Sequence, residues 1–317
     1  MKKIVVLGGG TGLSVLLRGL KQFPLDITAI VTVADDGSSS GRLREEFDIF
    51  AVGDLRNVLV SLSEVEPLIE DLLQYRFVTD SSLNNHPMGN LLLTALYNIT
   101  GNLTESLRSL SKIFNIKGTI LPFTEENPVL IAHTTDGKII EGESNITKAG
   151  KEIDYIEYKN EVKPTKEVIK AIDEADLIIF GIGSLYTSII PNLLSKEVVE
   201  SLKNSKAKKM YVCNIMSEHG ETDNYKVSDC IKKINSYVKE DLLDVVVVNN
   251  KKVPDDIKER YLGETAGQID IDYDVLNDMN VEIIEDELLY ISEKKKVRHD
   301  PYRTALAIFN YIVKELK

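Results

Sequence analysis

Residues 4–20, with the sequence IVVLGGGTGLSVLLRGL, are the stretch that decides the fold class of this chain. Residues 4–7 form an uninterrupted apolar run, which predicts a buried β-strand, and the apolar spacing of residues 13–20 predicts the helix that follows. Between them, glycine occupies positions 8, 9, 10 and 12. A buried strand that leads through a glycine-rich turn into a helix is typical of an α/β fold with a parallel sheet.

The same alternation continues along most of the chain. Strands are predicted at residues 27–33, 177–180, 209–213 and 243–248, and helices at 55–62, 68–75, 90–99, 103–114 and 300–316. We therefore predict one Rossmann-like domain over residues 1–317, an α/β fold with a doubly wound, mostly parallel sheet and helices on both faces. Short strands at 119–121, 129–133 and 138–141, the last two joined at Asp136-Gly137, predict a small antiparallel insert or an edge extension at about 117–160.

Composition excludes several classes of protein. The formal net charge is −12, and such an acidic surface repels nucleic acid, so no nucleic-acid partner is expected. No apolar run approaches the roughly 20 residues that cross a bilayer, so no membrane span is expected. The apolar run after Lys2 and Lys3 is interrupted by glycines too early for a signal peptide. We therefore expect a cytoplasmic protein.

The glycine-rich turn is the first chemical signal. Glycines allow a sharp turn and let a phosphate approach the backbone amides at the start of a helix, so Gly9, Gly10, Thr11 and Gly12 are predicted phosphate ligands. A P-loop would require Gly-Lys-Ser/Thr, and the dinucleotide pattern GxGxxG would require glycine where Leu13 stands. The alternative is a tight turn with a structural role only.

A second polar segment, ADDGSSSGRLR at residues 34–44, follows the second predicted strand. The adjacent carboxylates of Asp35 and Asp36 suit a Mg²⁺ cofactor that also binds substrate phosphates, and Asp54 is a third candidate metal ligand. The candidate phosphate ligands in this segment are Ser38, Ser39 and Arg42. An exposed loop for the segment and a helix N-cap for Asp54 are the alternatives.

Further polar residues lie where predicted strands end or helices begin. Gly183 and Ser184 follow one strand and Asn214 follows another, and ligands of open α/β sheets bind at that edge. Asn90 opens a helix, where it would either bind a ligand or cap the helix. His86, in the preceding loop, is a candidate acid or base.

Taken together, these motifs resemble those of the CofD/YvcK family. The motifs are residues 8–12, 34–44, 53–57, 86 with 89–90, 181–184 and 299–303. The resemblance implies a doubly wound CofD-type domain with its ligand at the carboxyl edge of the sheet. One branch of the family contains 2-phospho-L-lactate transferases, which join a phospholactyl nucleotide to a deazaflavin alcohol with Mg²⁺ near the acidic loop. The other contains UDP-sugar-binding gluconeogenesis factors, needed for growth on gluconeogenic carbon sources and for normal cell shape.

The resemblance favours the second branch, because the loop DDGSSSG at residues 35–41 is similar to that of the gluconeogenesis factors. It implies a nucleotide-sugar ligand like UDP-N-acetylglucosamine, contacted by Tyr261 and Arg303, and a regulatory protein partner. A homo-oligomer is compatible with such a fold. The alternative is a Mg²⁺-dependent phospholactyl transferase with a guanosine diphospho donor, and whether the chain is an enzyme stays open. A pyridine-dinucleotide oxidoreductase is disfavoured by Leu13.

Overall fold

The computed structural model describes residues 1–64, 67–262 and 266–316, and its centre is a seven-stranded sheet. The strands are β1 (Lys2–Gly8), β2 (Leu25–Val31), β3 (Thr119–Pro122), β4 (Leu130–Thr134), β5 (Ile139–Glu141), β6 (Ile153–Tyr158), β7 (Leu177–Phe180), β8 (Lys208–Val212), β9 (Val245–Asn249), β10 (Glu282–Asp286), β11 (Leu289–Ile291) and β12 (Val297–His299). The large sheet has the order β10-β9-β8-β7-β1-β2-β3, and every neighbouring pair in it is parallel. The predicted α/β fold class with a mostly parallel sheet is confirmed.

Helices cover both faces of this sheet. They are α1 (Gly10–Leu20), α2 (Ser38–Phe47), α3 (Gly53–Leu62), α4 (Pro67–Gln74), α5 (Met88–Thr100), α6 (Leu103–Ile113), α7 (Glu143–Ala149), α8 (Lys166–Asp173), α9 (Lys196–Asn204), α10 (Val227–Val238), α11 (Asp255–Leu262), α12 (Tyr273–Asp278) and α13 (Pro301–Glu315). Side chains alternate along each strand, so Ile4 and Val6 pack with α1, α3, α5, α6 and α13, whereas Val5 and Leu7 pack with α8, α9, α10 and α12. The described helices include none that is long and apolar enough to cross a membrane.

The order of the strands creates a switch point. The chain runs outward from β1 through β2 to β3, and later returns to add β7, β8, β9 and β10 on the other side of β1. The connections that leave β1 and β7 therefore lead to opposite sides of β1 in the sheet, and the carboxyl edge at such a switch point is where open α/β sheets bind ligands.

The predicted insert is smaller than expected. Residues 119–122 form β3, which pairs in parallel with β2 and is the edge strand of the large sheet, so this part of the segment is an edge extension and does not belong to the insert. The antiparallel sheet is β5-β4-β6, with the expected turn at Gly137, where φ is +80°. The local sequence of a short apolar strand does not determine which strand it pairs with, because its partner is set by the tertiary structure.

Candidate functional site

A cleft of about 380 Å³ opens at the carboxyl edge of the sheet, next to the ends of β1, β7 and β8. The turn before α1, the loop after β7, the segment after β8, the start of α7 and strand β12 all contribute to its walls. The predicted site residues that line it are Gly9, Gly10, Thr11, Gly12, Gly183, Ser184, Asn214 and Tyr261.

The glycine-rich turn brings the start of α1 to the cleft. Gly10, the first residue of α1, has φ +67°, a conformation that glycine adopts without strain. At Gly12 a Cβ would lie 2.4 Å from the carbonyl oxygen of Ile182, so this glycine is required for the packing of two turns against each other. The first amides of a helix have no partner within it, so α1 presents N–H donors and the positive end of its dipole to the cleft.

The opposite wall is the turn after β7, and hydrogen bonds fix its position. The side-chain amide of Asn214 donates to the carbonyl oxygen of Gly183 at 2.8 Å. The Ser184 hydroxyl accepts the amide N–H of Thr187 at 2.9 Å and donates to the carboxylate of Glu221. The predicted ligand-binding residues of this wall are therefore held rigidly before any ligand arrives.

Three glutamates that the sequence analysis did not identify also line the cleft: Glu143, Glu218 and Glu221. Burial, with the charge of Asp35 as the next cause, raises the pKa of Glu143 to about 8. Burial and the neighbouring Glu218 carboxylate raise the pKa of Glu221 to about 7. Carboxyl groups of this cleft thus retain protons near neutral pH, and the cleft is less negative than its composition suggests.

Asp54 lies directly behind the glycine-rich turn. Its Oδ2 accepts the amide N–H of Gly10 at 2.6 Å. It is the second residue of α3 and not the N-cap, a position that Val52 occupies. Burial, followed by the charge of Asp35, raises the pKa of Asp54 to about 6. As placed, Asp54 holds the turn from behind.

The two adjacent aspartates bind different backbone amides. Asp35 Oδ1 accepts the N–H of Gly37 at 2.9 Å, and Asp36 Oδ1 accepts the N–H of Ser144 at 2.8 Å, at the start of α7. Over residues 1–64, 67–262 and 266–316, no three His, Cys, Asp or Glu side chains are grouped so that they could hold a metal ion. The carboxylates therefore do not fit an all-protein metal site. They fit a Mg²⁺ ion bound through one or two of them together with ligand phosphates, which is the mode that Mg²⁺ prefers.

Ser39 and Asn90 do not line the cleft and lie in a buried polar cluster with His86. Asn90 Nδ2 donates to Ser39 Oγ at 3.0 Å, and Ser39 Oγ lies 2.8 Å from His86 Nδ1. Either Ser39 Oγ or His86 Nδ1 carries the shared hydrogen, according to the tautomer of the imidazole. Burial, and then the charge of Arg42, lowers the pKa of His86. These bonds join the first turns of α2 and α5.

Two predicted arginines lie outside the cleft lining as well. Arg42 donates to the carbonyl oxygen of Asn84 at 2.7 Å, and exposed Arg303 forms a 3.9 Å ion pair with Glu287. The side chain of Ser38, another predicted ligand, lies outside the described residues.

The C-terminal part of the chain closes the cleft. The hydroxyl of Tyr261 accepts the N–H of Val297 at 2.9 Å, which ties α11 to β12. The next residue, Arg298, lines the cleft. His299 Nε2 donates to the carbonyl oxygen of Cys213 at 3.1 Å, and burial lowers the pKa of this imidazole to about 4. The arginine at the cleft is therefore Arg298 and not the expected Arg303.

Comparisons with known proteins show the family of the chain. The family model of the 2-phospho-L-lactate transferase CofD matches residues 4–289. The chain is similar to the "Gluconeogenesis factor" of Bacillus subtilis (strain 168), with 47% identity over 304 residues that cover 96% of each chain. It is also similar to the protein of the same name from Halalkalibacterium halodurans, with 45% identity covering 97% of this chain and 95% of the relative. A crystal structure of a UPF0052 family protein from Bacillus halodurans superimposes with a TM-score of 0.93 at 45% identity, covering 98% of this chain and all of the other. This chain therefore belongs to the CofD family.

Proposed function

We propose that the chain is a cytoplasmic gluconeogenesis factor that binds UDP-N-acetylglucosamine or a related UDP-sugar in the cleft. It would act as a regulatory protein needed for growth on gluconeogenic carbon sources and for normal cell morphology. Two relatives that are 47% and 45% identical over nearly their full length carry the name gluconeogenesis factor, which supports this role. Regulation requires that the liganded state differ from the free state in its affinity for a protein partner.

The observation that carries the proposal is the pairing of two glycine-containing turns across the switch point. The start of α1, where the Gly10 N–H is already donated to Asp54, lines one side with Thr11 and Gly12, and the turn at Gly183 and Ser184 lines the other side. A Cβ at Gly183 would lie 3.3 Å from the carbonyl oxygen of Gly9, so the turns approach closely. A diphosphate is the ligand that such backbone donors recognise.

Arg298 makes the cleft favour an anionic ligand. Among the described lining residues it is the only one with a permanent positive charge. Its charge acts against the rise in pKa that burial causes at Glu218, so the two side chains lie close together. An arginine beside carboxyl groups that retain protons suits a ligand with both a diphosphate and hydroxyl groups, since the carboxyls exchange hydrogen bonds with the sugar.

The alternative is a phospholactyl transferase, and the carboxylates behind the glycine-rich turn are the observation in its favour. Asp35 and Asp54 would hold Mg²⁺ together with the phosphates of a guanosine diphospho donor. When bound, the ion would neutralise charge on the transferred group. The chain's own residues would orient the donor, because the turn at Gly10 is fixed by Asp54.

Calorimetric titration with UDP-N-acetylglucosamine and GDP, each in EDTA and in Mg²⁺, separates the two functions. We expect the UDP-sugar to bind in EDTA without turnover. Arg298→Gln should weaken binding about 10- to 100-fold, because a charge-assisted hydrogen bond contributes roughly 1.5–3 kcal/mol. The matched control is Arg303→Gln, an exposed arginine outside the cleft lining, for which less than about a twofold change is expected. Binding of GDP that requires Mg²⁺, with no binding of the UDP-sugar, would instead establish the transferase.

A further inference from the structure

Arg56, in α3, is a buried arginine that the cleft does not use. Only 7% of its surface is exposed, and it is not among the residues that line the cleft. The one hydrogen bond that its guanidinium forms among the described residues runs from Nη2 to Asn57 Oδ1 at 2.7 Å. Its Nε–H is shielded from solvent and has no partner there. A buried guanidinium with an unused donor is unfavourable unless an acceptor reaches it.

No carboxylate of the described residues forms an ion pair with Arg56. The arginines that form ion pairs there are Arg18, Arg108 and Arg303. The charges of Asp54 and Asp35 reach Arg56 only from a distance. Asp54 stands two residues earlier on α3, so the two side chains do not face each other, and its Oδ2 accepts the N–H of Gly10. Arg56 therefore carries a positive charge that no contact among the described residues neutralises.

The first turn of α5 lies against Arg56. A Cβ at Gly89 would lie 2.7 Å from Arg56 Cγ and 2.9 Å from its Cδ, so the stem of the arginine packs on this turn. Arg76 is close as well, because it forms an antiparallel bridge with Pro87, the N-cap of α5. The first amides of a helix and the positive end of its dipole add to the charge of the two arginines. Asn90 Oδ1, buried in the same turn, has no donor among the described residues.

We propose that Arg56, Arg76 and the first turn of α5 form an anion site, which binds the carboxylate or phosphate group of a second small ligand. Helix N-termini and arginine side chains are the protein groups that suit such anions best. Neither Arg56, Arg76 nor Gly89 lines the cleft, so the anion site is separate from it and does not depend on the function proposed for it. A hydroxyl group of the ligand would supply the hydrogen that Asn90 Oδ1 lacks.

The charge around the anion site is opposite to that of the whole chain. The formal net charge is −12, yet Arg42 and Arg76 donate to carbonyl oxygens of the loop before α5, at Asn84 and Asn85, and form no ion pair among the described residues. Positive charge is thus concentrated at this end of α5. Arg76 is exposed and Arg56 is not, so the arrangement suits a small anion whose charged group reaches inward to Arg56.

Thermal unfolding of the full chain tests the anion site with inorganic phosphate and acetate as probes. Every protein compared carries Arg298→Gln to weaken anion binding in the cleft, and chloride keeps the ionic strength constant. We expect about 20 mM phosphate to raise the Tm by roughly 2–4 °C, as a ligand with a dissociation constant of about 1 mM does by mass action. An equal rise with acetate would assign the site to carboxylates as well, and no rise with either anion would overturn the proposal.

Arg76→Gln tests the outer part of the anion site, where a substitution does not disturb the core. It should weaken phosphate binding about three- to tenfold, because it removes an exposed charge-assisted contact. Arg108→Gln is the matched control, since Arg108 is an exposed arginine on α6 and should change the affinity less than about twofold. Equal phosphate affinities of the two variants would count against the site.

Arg56→Met tests the buried part and separates binding from a purely structural role. In chloride its Tm should not fall, because the substitution removes an unpaired buried charge and keeps an apolar stem. The rise in Tm with phosphate should disappear. A variant that melts lower in chloride and still gains as much from phosphate as Arg108→Gln would show that Arg56 only supports the fold, and the proposal would be wrong.

Discussion

Replacement of Asp54 by asparagine should stabilise the protein at neutral pH, although it removes a charge beside the cleft. The amide oxygen of asparagine can still accept the Gly10 N–H that Asp54 Oδ2 accepts at 2.6 Å. The substitution removes the unfavourable free energy of a carboxylate that is poorly hydrated and close to Asp35. These two causes raise the pKa of Asp54 to about 6. A rise of two pKa units corresponds to about 3 kcal/mol, and we take about 2 kcal/mol because Asp54 is only partly buried.

The sign of the pH dependence follows from linkage. The folded-state pKa of Asp54 lies above the ordinary aspartate value of 3.8, so the folded state binds more protons than the unfolded state between pH 4 and pH 6. The Asp54 carboxyl group therefore destabilises the fold progressively as the pH rises through this window. The gain in Asp54→Asn should be below about 0.5 kcal/mol at pH 4 and reach its full value above pH 7.

Urea unfolding of both proteins at pH 4 to 8, in EDTA, measures this difference directly. Asp80→Asn is the control, since Asp80 is exposed in the loop after α4 and its replacement should change the free energy of unfolding by less than about 0.5 kcal/mol. A destabilised Asp54→Asn protein at pH 8, or a gain that does not depend on pH, would show that the carboxylate is needed to hold the glycine-rich turn. The argument from burial would then be wrong.

Two other perturbations probe the walls of the cleft. His299 is buried and its pKa is lowered to about 4, so the folded state resists protonation of the imidazole. The free energy of unfolding should therefore fall by about 3 kcal/mol between pH 7 and pH 4. In His299→Phe, the free energy of unfolding measured with urea should not fall in this way over that pH range. If its pH dependence equals that of the parent protein, the assignment of a neutral buried imidazole is contradicted. Gly12→Ala should lower the free energy of unfolding, measured by thermal unfolding, by at least about 2 kcal/mol, because the alanine Cβ would lie 2.4 Å from the Ile182 carbonyl oxygen. Gly267→Ala, whose Cβ would have no atom of the described residues within 4 Å, should melt within a few degrees of the parent, and equal melting of the two variants would rule out the close packing of the turns.

Patterns local in sequence predicted most of the large sheet. The uninterrupted apolar runs identified β1, β2, β7, β8 and β9, because strands of a parallel sheet are buried on both faces. The edge strand β10 was not predicted, since its exposed acidic residues break the apolar run. The strand at 119–122 was recognised, but the sequence left open whether it belongs to the insert or extends the large sheet, because its pairing depends on a partner more than 90 residues earlier in the chain.

The residues of the candidate site were also predicted only where a local sequence pattern marks them. Glycine-rich turns and polar residues at strand ends are local signals, and Gly9 through Gly12, Gly183, Ser184 and Asn214 do line one cleft. Arg298 was missed in favour of Arg303, although both lie close to residue 300, where the predicted helix 300–316 begins. The structure separates them because Arg298 lies in β12 and lines the cleft, whereas Arg303 belongs to α13 and is exposed.

Glu143 shows why the rest could not be predicted. It lies in the antiparallel insert, far in sequence from every glycine-rich turn, and reaches the cleft only because α7 docks on the loop after β2. The bond that docks it runs from the amide of Ser144 to Asp36, across 108 residues of chain. Asp36, expected to bind a metal, is thus engaged at the start of the helix that brings another carboxyl group to the cleft. The carboxylates of the loop and of the insert consequently form one electrostatic unit, because the charges of Asp35, Asp54 and Asp36 all raise the pKa of Glu143. A ligand that neutralises one of these aspartates would remove part of what raises the pKa of Glu143, and no inspection of a single motif could reveal this link.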